Sequence, residues 1–171
     1  KLQFFVDHRD SFMQLLASEL MKIVRNRIKK ANKNIRIRLN TISDIDWLSI
    51  PCYREGVKYK NVFLAFPEIQ FYDYTKIAGR FGKQLPGNYH LTMSDSKEPK
   101  AQRQIDYALK RGANVATVFF VKKGQPLPVM HRGRRVIDGD IDDNRIDDDK
   151  NIIVGLRLKG NEAIKNVEQS N

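Results

Sequence analysis

Residues Val115 to Val121 form an apolar run interrupted only by Thr117. That length and bulk suit a strand covered on both faces, the hallmark of a parallel sheet sandwiched by helices. The rest of the chain is consistent with it. Ile35, Ile37 and Leu39 alternate with Arg36, Arg38 and Asn40, giving a strand with one apolar and one basic face. Gln70 to Tyr74, Tyr89 to Met93, Val136 to Asp138 and Ile152 to Leu158 read as further strands. Between them, Lys97 to Gly112 carries Ala101, Ile105, Ala108 and Leu109 at helical spacing, with Gly112 placed to end the helix.

Ahead of the first strand, Phe12, Leu15, Leu16, Leu20, Ile23, Val24 and Ile28 recur every three or four residues. They predict an amphipathic helix over 11–31, capped by Asp10 or Ser11 after a polar turn at Asp7 to Asp10. Residues 48–60 read as irregular. Asn61 is placed to cap a short helix through Phe66, which Pro67 stops, and residues 77–84 read as a short, weak, basic helix. Strands alternating with helices predict an α/β fold with a mostly parallel sheet, as one domain over 1–160 followed by a tail over 161–171. Five or six strands fit an open sheet or part of a (β/α) barrel. In both, the functional rim is the carboxyl end of the strands.

That rule gathers polar strand ends. Asn40, Ser43, Asp44 and Asp46 follow the first strand; Asp73, Thr75 and Lys76 end the second; Thr92, Ser94 and Asp95 end the third; Asp138 and Asp140 follow a later one. In the second strand Phe71, Asp73 and Thr75 share a face, and Tyr72, Tyr74 and Lys76 the other. Asp73, Lys76 and His90 are the catalytic candidates. Asn40, Ser43, Asp44, Tyr74, Thr75, Thr92, Ser94, Arg132, Arg134 and Arg135 are binding candidates. Asp138 and Asp140 are candidate ligands for Mg²⁺ or Mn²⁺, which favour oxygen donors. Against this stands the ordinary use of Asp and Ser after strands as turn and cap residues. Asp138-Gly-Asp140-Ile-Asp142, with Asp149 at the twelfth place, imitates a calcium loop, but Asp143 replaces the turn glycine and Asp149 the closing glutamate. His8, His90 and His131 have no metal-ligand spacing, and the chain has neither a nucleophile elbow nor a phosphate-binding glycine loop.

Charge narrows the classes of partner. The chain has 31 Lys and Arg against 20 Asp and Glu, a formal net charge of +11. Seven of the acids fall between Asp138 and Asp149, opposed there only by Arg145, so the remainder carries 30 cations and 13 anions, or +17. Such a field attracts polyanions, nucleic acid or nucleotides first. Aromatic residues interleaved with bases (Phe71, Tyr72, Tyr74 and Tyr89 with Lys76, Arg80 and Lys83) fit the same partner, although aromatics on strands more often build the core. The cations late in the first helix also complement its dipole. No run of about 18 apolar residues is present, so no membrane span is expected. Within these 171 residues the single Cys52 excludes an internal disulfide and a Cys-rich metal site, and a lone thiol fits a reducing compartment. Leu2 to Val6 is too short an apolar run for a signal peptide, and with no Met at position 1, residues upstream of Lys1 are expected.

Five segments in order carry a family resemblance: Arg38 to Trp47, Phe66 to Lys76, Asn88 to Ser94, Asn114 to Phe119, and Val136 to Asp140 with Val154 to Gly160. The chain resembles the phage gene product 88 family over about Asp7 to Gly160. The resemblance implies a partial (β/α) barrel and the cytoplasm of an infected bacterial host. It implies an iron–sulfur or zinc site only where a Cys-rich segment precedes Lys1. It implies no particular reaction. Three readings follow: nucleic-acid or nucleotide binding at a basic strand rim, a metal-dependent enzyme of phosphodiester or phosphoryl chemistry, and a non-enzymatic protein acting on host proteins.

Overall fold

Asp73 decides where the first strand ends. A computed structural model describes residues 2–30, 34–96, 98–99 and 101–159. In it β1 (Ile35–Ile37) runs parallel to β4 (Ile69–Thr75), pairing Ile35 with Ile69 and Ile37 with Phe71. Beyond Ile37 the ladder stops, because the backbone N–H of Asn40 donates to the Asp73 carboxylate at 2.6 Å. The strand is therefore shorter than its alternating pattern, which runs on to Asn40.

The strands hydrogen-bond in the order β1-β4-β5-β6-β9-β8-β7, with β5 at Tyr89–Ser94, β6 at Asn114–Phe119, β7 at Met130–His131, β8 at Arg134–Asp138 and β9 at Ile153–Arg157. The pairings β1–β4, β5–β6, β6–β9 and β8–β9 are parallel, and β7–β8 is antiparallel. The fold is α/β with a mostly parallel sheet, as the sequence predicts. The order has two ends, β1 and β7, so the sheet is not a closed barrel. The expected partial barrel is not confirmed by it.

The chain divides into two compact units. The first comprises the chain up to Asp73 together with Leu85–His90. It opens with α1 (Leu2–Asp7) and α2 (Arg9–Lys29), separated at His8. The buried stripe of α2 is Met13, Ala17, Leu20 and Val24, spaced four, three and four. Leu15 and Ile28 are exposed, so the stripe is rotated from the one that the bulkiest residues mark. Asp10 lies in the first turn of α2, and no side chain caps its start. Residues 48–60, expected to be irregular, contain a hairpin: β2 (Cys52–Arg54) pairs antiparallel with β3 (Val57–Tyr59). Its turn is Glu55-Gly56, both at positive φ (51° and 82°), the backbone twist that two-residue hairpins favour. α2 packs on β2. Helix α3 (Val62–Ala65) is capped as predicted, with Asn61 Oδ1 accepting from Leu64 N at 3.1 Å.

Val62, Phe63, Phe66, Ile69 and Phe71 are fully buried in this unit. Phe63 meets Phe71 edge-on at 5.1 Å and stacks on Tyr89 at 3.9 Å. Asn88 Nδ2 lies within hydrogen-bond reach of the carbonyls of Phe63, Phe66 and Ile69, at 3.1, 3.1 and 3.0 Å. Asn88→Ala leaves these oxygens short of a donor, and we expect a loss of about 1–3 kcal/mol in urea unfolding. An unchanged midpoint would show that water replaces the amide.

The second unit comprises Tyr74–Gln84 and the chain from Leu91 onward. Its core is Met93, Ile105, Ala108, Leu109, Ala113, Val115 and Ile153, with Ala78. Helix α4 (Ala101–Lys110) presents Ile105, Ala108 and Leu109 to that core and ends at Gly112, whose φ of 75° suits glycine. Residues 77–84 hold only a short 3₁₀ turn, Ala78–Gly82. β6 is buried from Asn114 to Thr117 and emerges by Phe120, earlier than the apolar run implies. The tail over 161–171 lies outside the described residues.

Candidate binding site at the strand ends

β4 alternates strictly, with Ile69, Phe71, Asp73 and Thr75 buried and the residues between them half-buried. Asp73 thus lies on the core face, completely enclosed. Its Oδ1 accepts from Asn40 N, and its Oδ2 lies 3.4 Å from both Asn40 Nδ2 and Tyr89 Oη. Burial pushes its carboxyl up from the ordinary 3.8 to about 6, against the opposing pull of the Asn40 and Leu39 N–H groups, Arg38 and Tyr89. Asn40 is a second hub. Its Oδ1 accepts from Ser43 Oγ at 2.9 Å, Ile45 N at 3.1 Å and Trp47 Nε1 at 3.0 Å, while its Nδ2 donates to Ile45 O at 3.0 Å. Asn40, Ser43 and Asp73 therefore come together, as expected, but around the 40–47 loop that they hold in place.

In the second unit a cleft of about 660 Å³ opens at the carboxyl ends of β8 and β9. Lys123, Gly124, Asp138, Asp140, Ile141, Arg157, Leu158 and Lys159 line it. Arg157 leaves the end of β9 and reaches both acids, with Nη1 2.8 Å from Asp138 Oδ1 and 3.2 Å from Asp140 Oδ2. Its backbone N–H donates to Asp140 Oδ2 at 2.9 Å, and its Nε to Gln125 O at 2.9 Å. Lys159 Nζ lies 3.1 Å from Asp140 Oδ1. The Arg157 hydrogen bond lowers the Asp138 pKa below the usual carboxylate range. For Asp140, burial works upward, but the Arg157 N–H, Lys159 and the Arg157 side chain outweigh it and the net shift is downward. Both acids are thus held as anions that fix a cation. Among the described residues, no three His, Cys, Asp or Glu side chains group to hold a metal ion.

Gly139, between the two acids, is required by space. A Cβ there would lie 2.4 Å from Val154 Cγ1 and 3.1 Å from Gly155 O. The bare backbone lets the Asp138–Asp140 turn press onto β9, where Gly139 N donates to Gly155 O at 2.8 Å.

A protein-family model described as gene product 88 matches residues 1–169. The chain belongs to the gene product 88 family. No curated protein and no solved structure matches it.

In this gene product 88 protein the other predicted residues have varied roles. Thr75 Oγ1 accepts from Ile77 N at 3.0 Å and shapes the turn after β4. Thr92 is fully buried on β5, whereas His90 and Ser94 are half-buried. Tyr74 and Asp44 are half-buried, and Lys76 is exposed. Arg132 and Arg134 flank Gly133 at the turn joining β7 and β8, where Arg132 has φ 50°. Arg132 bonds Asp106 at 3.1 Å and also Gln102, both on α4; Arg134 bonds Asn151 Oδ1 at 2.7 Å; Arg135 pairs with Asp149. The acidic run is spent in the same way: Arg145, almost fully buried, pairs with Asp142 at 3.1 Å and Asp148 at 3.3 Å. The calcium-loop imitation therefore delivers its carboxylates to arginines.

The sequence reading missed Lys123, Ile141, Arg157, Leu158 and Lys159 as site residues. A signal was present in Leu156-Arg157-Leu158-Lys159, whose alternation puts both cations on one face of the last strand as it leaves the sheet.

Proposed function

We propose that this protein binds nucleic acid or a nucleotide at the basic rim formed by the carboxyl ends of β8 and β9, in the cytoplasm of the infected bacterial host. The observation that carries this reading is the cleft itself, with three cations, Lys123, Arg157 and Lys159, set beside the apolar Ile141 and Leu158. Phosphate oxygens suit the cations, and a base suits the apolar wall. Asp138 and Asp140 hold Arg157 through Nη1 and Gln125 O holds its Nε, which leaves Nη2 to donate to a phosphate oxygen. Lys159 is 79% exposed, so its pairing with Asp140 is worth less than about 1 kcal/mol and yields readily to a phosphate. The carboxylates are committed to Arg157 and Lys159, which favours anion binding over cation holding.

Titration of the full chain with ATP and with fluorescein-labelled oligothymidylate, across a range of KCl, tests the proposal. Binding should weaken steeply with salt. Lys123→Ala with Lys159→Ala should lower affinity for ATP by at least about tenfold, equivalent to about 1.4 kcal/mol. Absent binding at low salt, or affinity indifferent to salt, would sink it.

A further inference from the structure

Two enclosed polar atoms of the second unit have no hydrogen-bond partner among the described residues: Asp95 Oδ1, just after β5, and Arg132 Nε, at the turn joining β7 and β8. The rest of each group is committed. Asp95 Oδ2 accepts from Thr117 Oγ1 at 3.1 Å, and Asp95 N donates to Ala116 O at 2.8 Å. Arg132 Nη1 donates to Asp106 Oδ1 at 3.1 Å and Nη2 to Gln102, both on α4. Both residues act on the imidazole of His131, which stands edge-on to Phe119 at 5.1 Å: burial and Arg132 lower its pKa, and Asp95 works upward. One acceptor and one donor are thus left over around one histidine.

The bland account is an ion pair between the two. Yet neither atom meets the other at hydrogen-bonding distance, although an enclosed charged group left unpaired is costly. Arg132 also has φ 50°, in the left-handed region that strains a residue other than glycine, beside Gly133 at 69°. Unpaired polar atoms and backbone strain at one turn are what ligand sites retain. The place fits as well, since the carboxyl ends of the strands are the functional rim of this fold class. Across β6 and β9, Thr117 pairs with Gly155 and Phe119 with Arg157. Cross-strand partners share a face, so Asp95, Thr117, Phe119 and Arg157 lie on one side of the sheet. Asp95 stands two strand spacings from β9, about 10 Å, so a polynucleotide held by a phosphate at Arg157 can bring an adjoining sugar to it.

We infer that Asp95 and Arg132 hold the ribose 2′-hydroxyl of a polynucleotide, so that the nucleic acid bound here is RNA. The hydroxyl donates to Asp95 Oδ1 and accepts from the Arg132 Nε–H. Within a polynucleotide the 2′-hydroxyl is the one sugar hydroxyl left free; it both donates and accepts, and DNA lacks it. Admitting it opens the turn through Arg132 and Gly133, and leaving the positive φ relieves the strain at Arg132. The inference rests on the reading that the β8–β9 cleft binds nucleic acid, and it adds which kind.

Titration of the full chain with oligouridylate and oligodeoxyuridylate of equal length tests it, because the two carry the same charge and differ in the 2′-hydroxyl. The wild type should bind the ribo form at least about tenfold more tightly, as a hydrogen bond to a charged group implies. Asp95→Ala and Arg132→Lys should each bring the two affinities to within about threefold of each other. The ratio is read within each variant, so a lowered stability does not enter it. Arg132→Lys keeps a cation beside Asp106 and carries the test if Asp95→Ala does not fold. Equal affinity of the wild type for both forms overturns the inference, as does a ribo preference that survives in either folded variant. Titration with dATP separates this claim from the one it rests on. If dATP binds and the ribo preference is absent, the β8–β9 cleft stands without the ribose pocket. If neither dATP nor either oligonucleotide binds at low salt, both fall.

Discussion

Asp73→Asn is expected to gain stability relative to the wild type as pH rises, by up to about 3 kcal/mol between about pH 4 and pH 7. Asp73 is enclosed, and its carboxyl titrates near 6 in place of 3.8. The folded state therefore holds a proton that the unfolded chain has released through that interval. Stability contributed by this group is complete below about pH 3.8 and is lost as pH climbs through 6. Asparagine carries no such charge and so removes the loss. Its carbonyl can still accept from Asn40 N, and its amide NH2 faces the Tyr89 hydroxyl, which can accept, at the cost of the long 3.4 Å contact from Asn40 Nδ2. Urea unfolding of both chains at several pH values reads the difference. A gap that stays flat, or narrows with rising pH, would show that Asp73 ionises normally. Asp73→Ala is a different case. It leaves the N–H groups of Leu39 and Asn40 buried without an acceptor, at about 1–3 kcal/mol each, and unties the 40–47 loop at every pH.

Gly155→Val should destabilise the second unit by about 3 kcal/mol, at the upper end of overpacking costs. Gly155 sits in β9 with strands on both sides, beside Thr117 of β6 and Asp138 of β8. A Cβ there would lie 2.7 Å from Val136 Cγ1, 2.9 Å from Leu127 Cδ1 and 3.3 Å from the Ile137 carbonyl. The first two are side chains with some give; the third is backbone and has none. Alanine should cost less than valine, because each added methyl deepens the overlap. A second consequence separates this from generic core damage. Moving β8 away from β9 lengthens the Asp138–Arg157 contact, so ATP affinity should fall in protein that is still folded. A valine variant within about 0.5 kcal/mol of wild type in urea unfolding would refute the tight approach.

How far sequence alone reached can be judged from particular residues. Period-two alternation placed Phe71, Asp73 and Thr75 on one face correctly. The structure makes that face the core, so the carboxylate expected at an open rim instead anchors neighbouring backbone. The cap at Asn61 and the stop at Gly112 were legible because each depends on one residue and its immediate neighbours. The hairpin at Cys52–Tyr59 was not, because its turn uses Glu55 at positive φ, a position usually marked by Asn, Asp or Gly. The stripe of α2 was misplaced since Met13 and Ala17 supply its first half, and they stand out less than the exposed Leu15 and Ile28. Asp138 and Asp140 were picked out as site residues, but their partners were not. Arg157 reaches them only because β9 inserts between β6 and β8, and that long-range order leaves no local trace.

That insertion also governs how the second unit can be assembled. β6 and β8 are nearer each other in sequence than either β6 is to β9, yet no direct pairing joins them; the strand that bridges them is the last one described. A nascent chain that has reached Asp149 can pair β6 with β5 and β8 with β7, but each keeps one open edge where β9 will insert. Such edges are templates for pairing with other chains. Bridging them requires closing loops before any ladder bond rewards it, which slows folding. The acidic stretch leading into β9 repels its counterpart on neighbouring nascent chains during that wait, which gives those carboxylates a use before the fold exists as well as after it.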